Sequence, residues 1–325
     1  MKNNFDLIFF CDSNQYSGFG HASRCSKLSA IIKKYKKNTK IGIVGDISVK
    51  SKDLMLKTNK NLKFLKYEEF AFSRVVFIDK MFNYEDPNIL DEKFLLSIIK
   101  KTDKVIVMFS GISLKSRIKD IIYIGYQPTN NKYEDKNIFW SLKFAPTQIS
   151  KLIPSTRKKN HIFIALGGNY NNKEVIKLIH AVNLIKSVKH LEVLLSPVNK
   201  IINLQGYNFR NDLKINFISN IKNLSPFLLK SSLVITSFGN LCYESIAHNT
   251  PTIIVAQKTF QANYAKLLEK ENNVFSLGFP SFHTSNELQK KITTCLSKIC
   301  FKNKNTTICL NGIENIANII IKYLK

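Results

Sequence analysis

A glycine-containing loop follows the first apolar segment of the chain and leads into a stretch of helical periodicity. Residues 7–11 are apolar, Asp12 comes next, and Gly18 and Gly20 lie in the loop. Glycine lets the backbone turn sharply and approach a ligand closely, and the unsatisfied N–H groups at a helix start attract anions. Ser23 occupies the third glycine position, so the loop is not a dinucleotide fingerprint. The pattern indicates an anion or ligand site.

Two side chains at the start of this helix are suited to acid–base and anion chemistry. His21 lies in the first turn, where the positive end of the helix dipole disfavours the imidazolium form. A neutral imidazole at a cleft edge suits a general base for water, although a histidine here also caps or packs. Arg24 lies one turn further along the same face. It either clamps a carboxylate or phosphate or forms a structural ion pair.

Asp79 follows the apolar residues 75–78 and therefore stands at the carboxyl end of a predicted strand. Such ends carry the ligand-binding residues of open parallel sheets. We expect Asp79 to orient His21 or to bind sugar hydroxyls. The alternative is that it caps the segment that follows.

The second half of the chain contains a strand, a small polar loop and a helix in immediate succession. Residues 233–236 form the predicted strand, Ser237 and Gly239 lie in the loop, and the helix begins near Asn240. Helix N–H groups and hydroxyls in this order form a diphosphate site. Glu244 is one turn into the helix, where its carboxylate can accept both hydroxyls of a ribose or merely complement the helix dipole.

Two more segments of the second half carry candidate ligand contacts. Gly167, Gly168 and Asn169 follow the predicted strand at residues 161–166. Their backbone amides suit a phosphate or a uracil edge, and a simple turn is the alternative. Gln261 begins a further helix that we expect to reach the ligand.

These residues must be positioned by short apolar runs that alternate with longer, lysine-rich segments of helical period. Strand, helix, strand in this rhythm is typical of a parallel sheet with right-handed crossovers. Proline and polar residues between 126 and 159 predict a linker. We expect an α/β chain of two Rossmann-like domains, residues 1–150 and 151–325, whose strand ends face one another across a cleft. The predicted strands are residues 7–11, 41–44, 75–78, 104–108, 161–166, 191–195, 215–217, 233–236 and 252–255.

The segment from Asp12 to Leu28 resembles the opening motif of the PseG/SpsG-type nucleotide-sugar hydrolases. Residues 165–169, 237–244 and 261–278 look like later motifs of the same family, so the resemblance covers most of the chain in order. The first motif matches, with its spacing intact, at Asp12, Gly18, Gly20, His21, Arg24, Cys25 and Leu28.

This resemblance implies a GT-B-like fold and cleavage of a UDP-sugar by water. The products would be UDP and a free diacetamido-trideoxyhexose, as in pseudaminic acid synthesis. His21 would be the catalytic base, with Asp79 as the second catalytic residue, and neither a metal nor another cofactor is implied. The implied substrate-binding residues are Asp12, Gly18, Gly20, Arg24 and Tyr84. The implied nucleotide-binding residues are Gly167, Gly168, Asn169, Ser237, Gly239, Asn240, Glu244 and Gln261.

Four places depart from the family pattern. Residues 108–111 stand where the family has an aspartate-rich strand end, and Asn169 stands where it has an acidic residue. Met81 stands where the family has a tyrosine, and Tyr84 is the nearby residue that we expect to replace its hydroxyl. Phe238 stands where the nucleotide loop has a glycine. These departures keep two other hypotheses open: a GT-B glycosyltransferase with a UDP-sugar donor, and a sugar-nucleotide binding protein that has lost catalysis.

The net charge of +26 reflects a bias of composition toward lysine, asparagine and isoleucine, or else it suits anionic substrates and weak peripheral association with an acidic membrane face. The lysines are scattered and arginine is rare, which is unlike nucleic-acid readers, so we expect no nucleic-acid partner. The N-terminal apolar run is short for a signal peptide, and no apolar run has the length of a membrane span. The six cysteines show no CxxC pair. We therefore expect a cytoplasmic protein, and the sequence leaves its oligomeric state open.

Overall fold

The computed structural model describes residues 5–14, 19–111, 113–114, 117–148, 160–167, 170–195, 204, 206–219, 221, 223–271, 273–299 and 307–324. The chain forms two compact units. Unit 1 comprises Met1–Gln148 and Asn311–Lys325, and unit 2 comprises Ile149–Leu310. Each unit has its own sheet and its own hydrophobic core.

Strands and helices alternate along both units, as the apolar rhythm predicts. The strands are β1 (Phe5–Cys11), β2 (Ile41–Val44), β3 (Lys63–Leu65), β4 (Ser73–Asp79), β5 (Thr102–Phe109), β6 (Ile121–Gly125), β7 (Ile138–Trp140), β8 (His161–Ala165), β9 (His190–Leu194), β10 (Lys214–Ile218), β11 (Leu233–Ser237), β12 (Thr252–Val255) and β13 (Val274–Gly278). The helices are α1 (Gly20–Tyr35), α2 (Val49–Thr58), α3 (Glu92–Ile99), α4 (Asn172–Asn183), α5 (Ser225–Lys230), α6 (Asn240–Ala247), α7 (Thr259–Leu268), α8 (Ser285–Lys298) and α9 (Gly312–Tyr323).

Both sheets are parallel and have the same order in six strands, and the sheet of unit 1 has a seventh strand at its edge. The sheet of unit 1 runs β3-β2-β1-β4-β5-β6-β7, and that of unit 2 runs β10-β9-β8-β11-β12-β13. In each sheet the first strand of the unit is central. The next two strands are added on one side of this first strand, and the later strands are added on its other side. The strand order therefore reverses between β1 and β4 in unit 1 and between β8 and β11 in unit 2. Open α/β sheets bind ligands beyond the carboxyl ends of the strands at such a point.

Local sequence signals account for several helix starts. The Ser48 hydroxyl accepts a hydrogen bond from the backbone N–H of Ser51 at the start of α2, and the Asp91 carboxylate does the same for Phe94 at the start of α3. Thr284 and Glu287 form a capping box at the start of α8. These contacts satisfy donors that a helix start otherwise leaves unpaired.

The last helix belongs to unit 1, although the expected second domain ran to residue 325. Its buried apolar residues recur at helical spacing, and they are Ile313, Ile316, Ala317 and Ile320. The start of α9 is hydrogen-bonded to the end of the segment Met1–Gln148, because the backbone N–H groups of Gly312 and Ile313 donate to Thr147. A Cβ at Gly312 would lie 1.8 Å from the carbonyl oxygen of Ala145. This contact between distant segments left no signal in the local pattern.

The predicted linker at residues 126–159 is wrong in its first part. β7 pairs in parallel with β6, and the Trp140 indole donates to the carbonyl of Gln127 at 3.0 Å. Tyr133 stacks on Trp140 with ring centroids 4.8 Å apart. A strand of three residues is too short to be recognised among prolines and polar residues. Residues 149–159 lie outside the described part of the chain.

Candidate active site

The ends of β1 and β4 bring the predicted acid–base residues together in unit 1. The two strands are neighbours, and Cys11 is in register with Asp79. Helix α1 follows β1 and places His21 over this pair of strand ends. The Nδ1 of His21 lies 2.7 Å from the Oδ1 of Asp79. The Asp79 side chain is fully buried, and the His21 side chain is 12% exposed.

Arg24 binds both oxygens of the same carboxylate. Its Nε donates to Oδ2 of Asp79 and its Nη2 donates to Oδ1, each at 2.5 Å. Burial alone raises the pKa of Asp79, but the charge of Arg24 and then the contact with His21 outweigh it and lower that pKa from 3.8 to about 2. The structural ion pair that the sequence left open for Arg24 therefore exists, and Asp79 is an anion at neutral pH.

Tyr126 also contacts Arg24, and it is not among the residues expected from the sequence. The Nη1 of Arg24 donates to the Tyr126 hydroxyl at 3.2 Å, and the guanidinium lies 5.6 Å from the centre of its ring. Tyr126 directly follows β6, and a polar aromatic residue at a strand end was the signal available in the sequence.

The hydrogen bonding of the ring fixes what His21 can do chemically. An anionic carboxylate only accepts hydrogen bonds, so Asp79 favours the tautomer of His21 that carries its proton on Nδ1. The lone pair then lies on Nε2, which has no hydrogen-bond partner among the described residues. The nearby Nη2 of Arg24, 3.2 Å from Nδ1, is a second donor to the same Oδ1. This arrangement is that of a general base held in place by a carboxylate.

Asp12 lies at the same sheet edge but has other partners. Its Oδ1 accepts from the backbone N–H of Asp46 at 3.0 Å, and its Oδ2 lies 3.3 Å from the Nζ of Lys80. Gly45 makes this close approach of the β1 and β2 ends feasible. Its φ is +153°, and a Cβ there would lie 1.8 Å from the carbonyl oxygen of Cys11.

A cavity of about 700 Å³ opens beside Asp12 at the carboxyl ends of β1, β2, β3 and β4. We call it the strand-end cavity. Its wall includes aromatic rings and both signs of charge. The lining residues include Phe10, Asp12, Asp46, Lys52, Phe64, Lys66, Tyr67, Glu69, Lys80 and Phe94.

The other substrate-binding residues expected in unit 1 are only partly placed. Gly20 is the first residue of α1. Tyr84 is half-buried in the segment between β4 and α3, as is Met81. Gly18 lies outside the described residues, so its predicted role stays a prediction.

In unit 2 the loops after β8 and β11 meet at the reversal of strand order. The Ser237 hydroxyl donates to the carbonyl of Leu166 at 2.6 Å. Gly167 has a φ of +90°, and a Cβ there would lie 3.5 Å from the Ser237 Oγ. Gly167 and Ser237 are thus neighbours at one sheet edge, as the predicted nucleotide site requires. Gly168 and Asn169 lie outside the described residues.

The Phe238 side chain packs inward. Phe238 is 8% exposed, and its ring makes edge contacts with Tyr243 at 5.7 Å and Tyr264 at 5.4 Å. The phenyl ring that replaces the family glycine is therefore part of the packing between α6 and α7.

Gln261 joins the loop after β11 to the loop after β12. Its Oε1 accepts from the backbone N–H groups of Gln257 and Lys258 at 2.8 and 3.2 Å. Its Nε2 donates to the carbonyl of Phe238 at 3.4 Å. In this structure the Gln261 side chain is thus hydrogen-bonded to the backbone of the predicted nucleotide loop.

The start of α6 has the geometry expected of an anion site. Gly239 precedes the helix in an extended conformation, with open space where a Cβ would lie. Asn240 is the first residue of α6, and Glu244 is half-buried one turn later. The N–H groups of a helix's first turn generally lack an acceptor within the helix, although in α6 the N–H of Cys242 donates to the carbonyl of Gly239 at 3.1 Å.

The described residues were compared with the requirements of a metal site and of a membrane span. They contain no group of three or more histidine, cysteine, aspartate or glutamate side chains that could hold a metal ion. Within the same residues, every helix is too short or too polar to cross a bilayer.

Comparisons with known proteins identify the fold. No family model matches the sequence, and no curated protein matches it either. Among solved structures, MurG of Acinetobacter baumannii is similar with a TM-score of 0.59 at 12% identity, over 97% of this chain and 99% of that one. The spinosyn rhamnosyltransferase SpnG complexed with spinosyn aglycone gives 0.59 at 11% identity, over 98% and 96%. A glycosyltransferase from Rickettsia africae gives 0.59 at 11% identity, over 99% and 99%.

These structures have the GT-B fold, and similarity at such identities concerns the fold alone. The predicted fold class is confirmed: the chain has two Rossmann-like α/β units with parallel sheets. Function must be argued from the site.

Proposed function

We propose that the chain is a nucleotide-sugar-dependent glycosyltransferase in which His21 is the catalytic base. The observation that carries the proposal is the contact between His21 and Asp79, with Arg24 neutralising the buried carboxylate. The fold adds support, because the similar structures include glycosyltransferases, one of them solved with an aglycone.

The proposed reaction moves one proton and one glycosyl group. The Nε2 of His21 takes the proton from an acceptor hydroxyl, and the acceptor oxygen forms a bond to the anomeric carbon of the donor. The bond from that carbon to the β-phosphate oxygen breaks, and its electron pair leaves with the nucleoside diphosphate. Asp79 stabilises the imidazolium that forms and keeps the ring oriented.

Unit 2 supplies the nucleotide site in this proposal. The N–H groups at the start of α6 would bind the diphosphate. The hydroxyl of Ser237 would join them by turning its proton from the carbonyl of Leu166 to a phosphate oxygen. Gly167 leaves its backbone amide accessible, and Glu244 would accept the hydroxyls of the ribose. We take UDP as the nucleotide because the second-half motifs resemble those of UDP-sugar hydrolases.

Hydrolysis of the UDP-sugar is the second candidate, and the motif at residues 12–28 favours it. The two reactions share the base, the donor and the leaving group, and differ in whether water or an acceptor hydroxyl attacks. The strand-end cavity favours transfer. Its volume of about 700 Å³ can hold an acceptor molecule and is far larger than a water molecule needs.

A UDP-release assay separates these candidates. The purified protein is incubated with UDP-glucose, UDP-N-acetylglucosamine and a UDP-diacetamido-trideoxyhexose, each with and without a pool of sugar and lipid acceptors. Release that requires an acceptor, together with a glycosylated product seen by mass spectrometry, supports transfer. Release in buffer alone, with free sugar as product, would replace it by hydrolysis. Binding of UDP without release from any donor would indicate the inactive binding protein.

A further inference from the structure

The strand-end cavity lies at the same pair of strand ends as His21 and Asp79. Lys80 directly follows Asp79 at the end of β4, and Asp12 directly follows Cys11 at the end of β1. Both residues line the cavity. A molecule in the cavity would therefore contact the residues that directly follow the two strands whose ends carry the contact between His21 and Asp79.

One wall of the cavity is a cluster of aromatic rings. Phe10 packs against Tyr67 and Phe94, with centroid distances of 6.1 and 5.6 Å. Tyr67 and Phe94 are 6.3 Å apart, and Tyr67 is 39% exposed. Aromatic surface of this kind accommodates the apolar face of a ring-shaped ligand, while a few polar groups fix its orientation.

The acidic side chains of the cavity are already engaged by the protein. Asp12 contacts Lys80 and the backbone of Asp46. The Asp46 carboxylate accepts from the side-chain amide of Asn14 at 2.8 Å, and that of Glu69 accepts from the backbone N–H of Lys66 at 2.7 Å.

Two of its ammonium groups have no such partner. Neither Lys52 nor Lys66 has an ion pair with a carboxylate of the described residues. The Nζ of Lys52 lies 5.6 Å from the centre of the Phe64 ring, and Lys66 is exposed at the end of β3. Lys52 and Lys66 are therefore the two ammonium groups of the cavity lining that can pair with an anionic group of a ligand.

We propose that the strand-end cavity binds an acidic acceptor: a molecule with a sugar or aromatic ring that carries a carboxylate or phosphate group. The ring packs on Tyr67 and Phe94, and the acidic group pairs with Lys52 and Lys66. The acceptor role rests on the proposed glycosyl transfer, whereas the binding preference does not.

Matched probes test the preference without any need for turnover. Phenyl β-D-glucuronide and phenyl β-D-glucoside differ only in the carboxylate, and phenyl phosphate against phenol does the same for phosphate. Affinities are measured by ligand-observed NMR on the whole protein without nucleotide. The expected result is that at least one acidic probe binds about fivefold or more tightly than its neutral counterpart, as two ion pairs of modest strength require.

Two double variants assign the effect to the cavity. Lys52→Ala/Lys66→Ala removes the proposed partners, and Lys57→Ala/Lys60→Ala removes the same charge from exposed positions that do not line it. The first is expected to abolish the preference and the second to retain it. Equal affinity of acidic and neutral probes, or equal losses in both variants, would overturn the proposal.

The experiments distinguish a cavity that does not prefer acidic ligands from a protein that does not transfer a glycosyl group. A retained preference with no acceptor-dependent UDP release leaves an acidic-ligand site on a protein that is not a transferase. Acceptor-dependent release with equal probe affinities leaves a transferase whose acceptor is not acidic.

Discussion

The Nδ1 of His21 lies 2.7 Å from the Oδ1 of Asp79, although the two residues are 58 positions apart in the chain. The parallel pairing of β1 with β4 produces this contact, because it puts the loop after one strand beside the last residue of the other. The carboxylate and the imidazole are thus positioned before any ligand arrives. Such preorganisation is what a catalytic base requires.

Replacing His21 by glutamine is expected to lower turnover of the nucleotide-sugar about 100- to 10,000-fold, because glutamine cannot take up the proton. The affinity for UDP should not change, since the proposed nucleotide loops lie in unit 2. Steady-state UDP release and calorimetric UDP titration measure the two effects. His283→Gln, in unit 2, is the control. Undiminished turnover in His21→Gln would remove the proposed base.

Replacing Arg24 by methionine is expected to destabilise unit 1 by about 3–5 kcal/mol, because it leaves the buried Asp79 carboxylate without its counter-ion. The exposed pair of Arg74 and Asp6, 3.8 Å apart, provides the control, and Arg74→Met should cost less than about 1 kcal/mol. Urea unfolding followed by Trp140 fluorescence reports on unit 1, because Trp140 is the only tryptophan of the chain.

The double variant Arg24→Met/Asp79→Leu checks the cause of that loss. It removes both charges at once and should be more stable than Arg24→Met alone. A double variant that is less stable than the single one would mean that Arg24 acts through packing or through Tyr126.

Much of the candidate site could be predicted from the sequence because its signals are local. The apolar run of β1, the glycines after it and the spacing of His21 to Arg24 on one helix face all lie within a short segment. Asp79 was placed at a strand end by the same reasoning. Which of its proposed roles applied could not be decided, since register between distant strands is a property of the folded sheet.

Features that depend on long-range packing were not predictable in this way. The return of α9 to unit 1 depends on the fit of Gly312 against Ala145. Phe238 was a departure in a motif, and only its packing against Tyr243 and Tyr264 explains where its ring goes. Lys52 and Lys66 come from different elements, and only the folded sheet edge brings them to one cavity.

Replacing Gly45 by alanine is expected to destabilise the protein by at least about 2 kcal/mol, because the new Cβ would collide with the carbonyl oxygen of Cys11. The loop must then move away from β1, which also separates Asp46 from Asp12. Gly206→Ala is the matched control: its φ is +82°, but nothing lies within 4 Å of its Cβ position. It should cost only about 1 kcal/mol. Urea unfolding followed by far-UV circular dichroism measures the free energy of unfolding of both variants. Equal losses of stability would show that the positive φ, and not the collision with Cys11, causes the loss in Gly45→Ala.

The buried His161 is expected to make unit 2 less stable in acid. Burial lowers the pKa of His161 from 6.5, although the carboxylate of Glu192, 3.2 Å away, partly opposes this. The unfolded chain therefore binds the proton more readily than the folded one. Stability contributed by the neutral ring is present above pH 6.5 and is lost as the pH falls below it, by at most about 1.4 kcal/mol per pH unit. Urea unfolding of the wild type and His161→Gln between pH 7.5 and 5 measures the difference. The gap between them should narrow as the pH falls, and a constant gap would contradict the prediction.

Replacing Glu244 by alanine is expected to weaken UDP binding about tenfold, because the ribose hydroxyls lose a charged acceptor. Calorimetric titration with UDP measures the loss. Titration with inorganic pyrophosphate is the control. That ligand has no ribose and should bind the wild type and Glu244→Ala equally at the start of α6. Weaker binding of UDP alone would assign Glu244 to the ribose. Equal losses for both ligands would place its effect on the helix start instead. Absence of UDP binding to the wild type would withdraw the nucleotide site, and the proposed transfer reaction with it.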